Sequence, residues 1–241
     1  MKRLKYAVIL LLGLSIASMT SCTKDPDNGG NGGGNNGGGN TYNGHEYVDL
    51  GLPSGTLWAT CNVGADTPEG YGDYFAWGET TPKASYNWDT YKYCNGENQL
   101  TKYCYNADYG YNGFTDNLTT LEPTDDAAIT NWGNGWRTPT KEEYDELLSN
   151  CVWSMTMQNG VKGLLFTASN GKKLFFPNYK VGTGAAYWIN SITIYQANIY
   201  SDYFYCSANC FGFENETINV AMTDKQRRCT GSYIRPVRST N

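Results

Sequence analysis

From Asp25 to Asn43 the chain is almost entirely glycine and asparagine, with Gly32-Gly33-Gly34-Asn35-Asn36-Gly37-Gly38-Gly39 at its centre. Such a run has almost nothing to bury, so it cannot offset the entropy lost on ordering and is expected to stay disordered. A packed core must therefore come from residues 44–241, long enough for one well-buried domain and too short for two ordinary ones. Residues 22–43 then read as a tether. As a random coil of about 20 residues it would hold the domain roughly 25 Å from whatever precedes it.

What precedes it reads as an export signal. Residues 1–21 begin with Lys2, Arg3 and Lys5, continue through an apolar stretch from Ala7 to Ile16, and end in Met19-Thr20-Ser21 before Cys22. The apolar run is well below the roughly 20 residues that a bilayer span requires. Met-Thr-Ser-Cys resembles the cleavage box of bacterial lipoproteins, which implies a lipid on Cys22 and a membrane as partner. Lys24-Asp25 and Asp27 resemble acidic export tags of surface lipoproteins. The expected location is the bacterial outer membrane, with the domain exposed at the cell surface.

Loss of residues 1–21 removes three cations and no acids, taking the formal charge from -5 to -8. An acidic exterior disfavours phosphate backbones, so nucleic acid is not an expected partner. With one histidine, His45, a histidine-based catalytic scheme has little to work with. Seven cysteines follow Cys22, and an odd number cannot all pair within one chain. Most read as small buried residues, with Cys61–Cys151 and Cys94–Cys104 as candidate disulfides. Cys206, Cys210 and Cys229 match no closed zinc-site spacing, so no metal or other cofactor is assigned.

Extended runs alternate with turn chemistry in the first part of the domain, at Glu46–Leu50 and Leu57–Val63 around Pro53-Ser54-Gly55. Residues 70–118 are crowded with Tyr, Trp, Gly and Asn, which predicts long ordered loops held by ring packing and tyrosine hydroxyl bonds. Two short helices are expected. One is capped by Thr124 and runs to about Asn131; the other has a capping box of Thr140 and Glu143 with Tyr144, Leu147 and Leu148 on one face. Asn159-Gly160 and Asn170-Gly171 are hairpin dipeptides, with strands expected at Gly163–Ala168 and Lys173–Phe176. Further strands are expected at Ala186–Ile194, Ser201–Phe213, Thr217–Met222 and Tyr233–Val237. The fold class is α+β with a mostly antiparallel sheet.

Trp136-Arg137-Thr138-Pro139-Thr140, followed by Glu143-Tyr144, resembles a W-R-x-P-T-x-x-E-aromatic segment. The Fibrobacter succinogenes major paralogous domain family of surface lipoproteins shares it with the formylglycine-generating-enzyme-like branch of the C-type lectin fold. Tyr47–Thr60, Asn62–Ala65, Tyr74–Glu79, Asp125–Ala128, Asn131–Gly133 and Arg228–Val237 extend the likeness to the first of these over nearly the whole domain. The resemblance implies a C-type-lectin-like fold with paired terminal strands. Tyr47–Leu50 against Tyr233–Val237 would set Asp49 opposite Arg235 and Arg238. Trp136, Arg137, Pro139, Gly231, Arg235 and Pro236 then read as scaffold, with Pro139 starting a helix and Arg137 neutralising buried acceptors.

A displayed, non-enzymatic recognition domain is the expected function, acting as a monomer on an extracellular protein or glycan. Ile189–Phe213 is rich in Tyr, Ser and Asn, the residues of adaptable binding surfaces. Asn190, Ile192, Ile194, Tyr195, Tyr200, Tyr203, Tyr205 and Tyr233 are the candidate contacts. Only Gln196 in that stretch belongs to the set Lys, Glu, Gln, Trp and Met, which asparagine-codon diversification by a retroelement cannot produce. Three alternatives stand beside this reading. An oxidase of the formylglycine-generating type would use Cys206 and Cys210, but their C-x3-C spacing is too short and the arginine-rich flank is missing. Calcium-dependent sugar binding would need loop motifs of which only Glu122-Pro123-Thr124 and Asn87-Trp88-Asp89 are remote fragments. A surface-appendage subunit would need a donor strand or pilin-type pairing signal, which is not visible.

Overall fold

The computed structural model describes residues 39–178, 185–194, 206–213 and 224–240. Over these described residues it is a mixed α+β structure with three antiparallel sheets and two short α-helices. The first sheet contains β1 (Asn40–Tyr42), β2 (His45–Asp49), β3 (Leu57–Ala59) and β10 (Val237–Arg238), in the order β1-β2-β3-β10. The second is a meander of β4 (Cys151–Gln158), β5 (Val161–Ala168) and β6 (Lys173–Pro177). The third holds β7 (Ala185–Trp188), β8 (Ser207–Phe213) and β9 (Asp224–Arg227).

Local chemistry explains the hairpins. Gln158 pairs with Val161 across Asn159-Gly160, whose φ angles of 47° and 82° supply the positive values that a two-residue turn requires. The strands flanking Asn170-Gly171 form as expected, with Thr167 opposite Lys173. A further hairpin begins inside the segment expected to be tether. Asn43 and Gly44, at φ 49° and 74°, turn the chain so that Tyr42 pairs with His45. Ordered structure thus begins ahead of the boundary drawn at residue 44.

Helix α2 (Lys141–Asn150) carries the expected capping box: Thr140 Oγ1 accepts from Glu143 N, and Glu143 Oε2 accepts from Thr140 N. Pro139 precedes the N-cap rather than opening the helix, and its carbonyl accepts from Asn190 N at 2.9 Å. Helix α1 (Ala127–Trp132) starts later than expected. Pro123–Asp125 forms a 3₁₀ turn, and Asp126 rather than Thr124 caps the helix because its carboxylate reaches Ala128 N at 2.9 Å.

The terminal segments share a sheet without pairing directly. β3 lies between β2 and β10, with Trp58 opposite both Val48 and Val237. Asp49 instead accepts from Gly51 N, while Arg238 lies over the rings of Tyr42 and Tyr47 at 3.9 and 5.3 Å. Arg235 is wholly buried: Nε donates to Asn62 Oδ1 at 2.8 Å, and Nη1 donates to the carbonyls of Thr60 and Ala59 at 2.6 and 3.2 Å. Burial without a carboxylate neighbour lowers its pKa to about 10. The arginine therefore fastens the C-terminal segment to the chain leaving β3 by reading carbonyls, not by charge pairing.

Two buried clusters hold the structure. One contains Trp77, Trp88, Tyr91, Tyr103, Trp132 and Trp136; the other centres on Trp58, Tyr144, Phe166, Phe176, Tyr187 and Phe211. The loops from 70 to 118 are held as their composition predicts. Tyr91 donates to Trp77 O, Tyr86 donates to Tyr74 O, and the Trp77 and Tyr103 rings meet edge-on at 4.9 Å. His45 stacks on Trp132 at 3.8 Å. Among the described residues no helix is long and apolar enough to cross a membrane.

Candidate functional site

The candidate contact segment leaves β7 along a path fixed by its backbone. Ile189 N donates to Asn209 O, Leu121 N donates to Asn190 O, Ile192 N donates to Thr119 O and Asn209 N donates to Ser191 O, at 2.8–3.1 Å. Thr193 Oγ1 adds a bond to Asn209 Oδ1 at 2.8 Å, and Tyr105 donates to Thr193 O at 3.4 Å. These bonds fix the course of the main chain, which departs here from the strict side-chain alternation of a regular strand. Asn190 is consequently half-buried, Ile192 turns inward at 6% exposure, and Ile194 stands out at 57%.

Two of the candidate contacts are thus corrected. Ile192 belongs to the aromatic core. Tyr233 is 1% exposed, because Tyr233 N and O bond Ala186 O and Trp188 N and draw the ring inward. There it stacks on Tyr74 at 4.4 Å. Tyr195, Tyr200, Tyr203 and Tyr205 lie outside the described residues, as does Cys22.

The loop beside this segment is set by a residue that the sequence reading passed over. Asp116 accepts from Tyr103 N and Cys104 N at 2.7 and 2.9 Å and from Leu118 N at 3.1 Å. Between these anchors the chain exposes Tyr111 at 41% and Phe114 at 37%. A surface aspartate in a Gly/Asn-rich stretch has no sequence signal that separates such a hub from a solvated carboxylate. Asp125 is a second hub. Tyr93 Oη, Tyr103 Oη and Lys102 Nζ donate to it at 2.5, 2.7 and 2.6 Å. Burial alone would raise this carboxyl, but the Lys102, Tyr93 and Tyr103 bonds hold it below its ordinary value.

The scaffold residues are placed as follows. Trp136 is 1% exposed, and Arg137 grips Glu143 through two bonds of 2.7 and 2.6 Å. A Cβ at Gly231 would lie 3.1 Å from the Tyr74 side chain, tighter than most such contacts. Pro236 O accepts from Ala59 N at 2.9 Å.

Neither candidate disulfide forms, because Cys94, Cys104 and Cys151 are free thiols. Cys94 Sγ donates to Trp88 O and Cys104 Sγ to Asn106 O, so backbone carbonyls replace the expected sulfur partners. Cys206 and Cys210, the pair an oxidase would need, are buried at 1% and 2% exposure. Among the described residues no group of three or more His, Cys, Asp or Glu side chains could hold a metal ion. No protein-family model, curated protein or solved structure matches this chain.

Proposed function

We propose that this protein is a lipid-anchored recognition module, displayed at the bacterial outer surface through Cys22 and its glycine-rich tether, and built on a C-type-lectin-like domain of the Fibrobacter succinogenes major paralogous domain type. Its ligand is an extracellular protein or glycan, and its work is binding rather than turnover. The observation that carries the reading is the 190–194 segment: a main chain pinned on both sides presents an isoleucine at 57% exposure. An apolar side chain held rigidly in water is a ready-made contact, because little further entropy is lost when a partner covers it. The Tyr- and Ser-rich residues that follow extend the same chemistry, and retroelement diversification of that stretch would alter its specificity without touching the scaffold.

The test is a protein and glycan array probed with the purified chain, followed by titration of each hit with Ile194→Asp. Placing a charge at the centre of a contact is expected to weaken binding by about tenfold or more, with an unchanged melting temperature because Ile194 packs against little. A hit bound equally by both proteins would refute the role of this segment, and an array without hits would count against recognition. Protease shaving of intact cells should release the domain; protection from protease would refute surface display.

A further inference from the structure

A cleft of about 320 Å³ opens between the first sheet and the β5–β6 hairpin, and none of its lining residues belongs to the 190–194 segment. Glu46 lies in it at only 7% exposure. Among the described residues the carboxylate takes a single side-chain hydrogen bond, a long one of 3.4 Å from Thr60 Oγ1, and no cation pairs with it. Its other side is covered closely by backbone: a Cβ at residue 39 would fall 1.7 Å from Oε1, so the bare Gly39 lets the chain pass against the carboxylate as it stands. An acid removed from water with so little compensation is costly to keep charged, and burial pushes its pKa up. The cleft is the side from which a donor can still reach it.

The remaining lining is sorted by polarity. Leu165, Leu174 and Phe175 supply apolar wall, while Lys172 and Lys173 stand exposed. Asp49, the other acid in the lining, is exposed and already accepts from Gly51 N at 2.8 Å. A buried anion, an apolar wall and two solvated cations within one small cleft match a molecule with a positive end, a hydrocarbon body and a negative end. We propose that the cleft binds a free α-amino acid with an apolar side chain, its ammonium group on Glu46 and its carboxylate drawn by Lys172 and Lys173. This is a second site, separate from the recognition segment.

Isothermal titration of the purified chain with L-leucine and L-phenylalanine tests it. Saturable binding is expected, and N-acetyl-L-leucine, which lacks the ammonium, should bind about tenfold more weakly or worse, as loss of one charge-assisted hydrogen bond implies. Glu46→Gln keeps the shape and removes the charge, and should weaken leucine by about the same factor. Leucinamide and the paired Lys172→Gln and Lys173→Gln substitution test the other end, with smaller losses expected because those lysines are solvated. The proposal is overturned if neither amino acid binds, if N-acetyl-L-leucine binds as well as leucine, or if Glu46→Gln binds leucine unchanged. The N-acetyl comparison uses the unaltered protein, so it stands even if the variant folds poorly. Failure here leaves array binding and its Ile194→Asp response untouched.

Discussion

Glu143 is the side chain whose loss should be felt most clearly, because it satisfies three different segments at once. Arg137 donates to both of its oxygens at 2.6 and 2.7 Å, Thr140 N closes the cap of α2 at 2.9 Å, and Thr56 Oγ1 donates from the loop before β3 at 2.9 Å. Breaking a buried pair from one side costs about 3–5 kcal/mol. The Arg137 side chain retains 34% exposure and can recover some hydration, so Glu143→Gln is expected to cost about 2–3 kcal/mol. For a domain of this size that lowers the melting temperature by about 5–10 °C. Burial alone would raise the Glu143 carboxyl, but Arg137 and the hydrogen bonds hold it below its ordinary value of 4.5. Its stabilisation is therefore complete above that value and is lost as pH falls through the lower folded pKa. Urea unfolding followed by tryptophan fluorescence should show a gap between parent and Glu143→Gln that is constant from pH 7 to 5 and narrows below about pH 4. A double-mutant cycle with Arg137→Met should return a coupling of about 2 kcal/mol. A variant within about 0.5 kcal/mol of the parent at pH 7 would refute the reasoning, since that is the range of an ordinary surface substitution.

Two further outcomes follow from the geometry. Cys104, Cys151 and Cys229 are buried free thiols, and burial raises the pKa of Cys104 and Cys151 and takes Cys229 to about 11, so a thiol reagent at pH 8 should label these three only after unfolding; rapid labelling of any of them in the native protein would contradict the packing. Gly160→Ala, at a φ of +82°, should cost about 1 kcal/mol in the same urea assay by straining the β4–β5 turn, whereas an unchanged midpoint would mean that the hairpin is not set by this turn.

What could be read in advance was whatever one short stretch of chain decides alone. The cap of α2 needs only Thr140 and Glu143, and the β4–β5 register needs only Asn159-Gly160 between two runs, so both were legible. Asn43-Gly44 carried the same signal but sat at the end of a glycine-rich run, where composition outweighed it. Sheet order is a different kind of property. That β3 separates β2 from β10 depends on which of several short extended runs meet at long range, and alternation says nothing about partners. Opposite charge at Asp49 and Arg235 suggested a pairing, but Arg235 found three oxygen acceptors at the end of β3 and in the chain just after it, and left Asp49 to its own turn.

The candidate contacts show the same limit at the level of single side chains. Ile192 and Ile194 have the same chemistry and lie two residues apart, where alternation would put both on one side, yet one is core and the other is exposed. The difference arises because Ile192 N is tied to Thr119 O and Thr193 to Asn209 and Tyr105, so the chain is steered by neighbours far away in sequence. Tyr233 is drawn inward by the same cause, its N and O both held by β7. Composition can therefore mark a stretch as suited to binding, but the face it offers is decided by the main-chain bonds that pin it. Changing those anchors should redirect Ile194 even with its own identity kept. Asn209→Ala, which removes the acceptor for the Thr193 hydroxyl, is accordingly expected to weaken any Ile194-dependent ligand without touching a contact residue, and full retention of binding would show that the side chain of Ile194 is directed by something else.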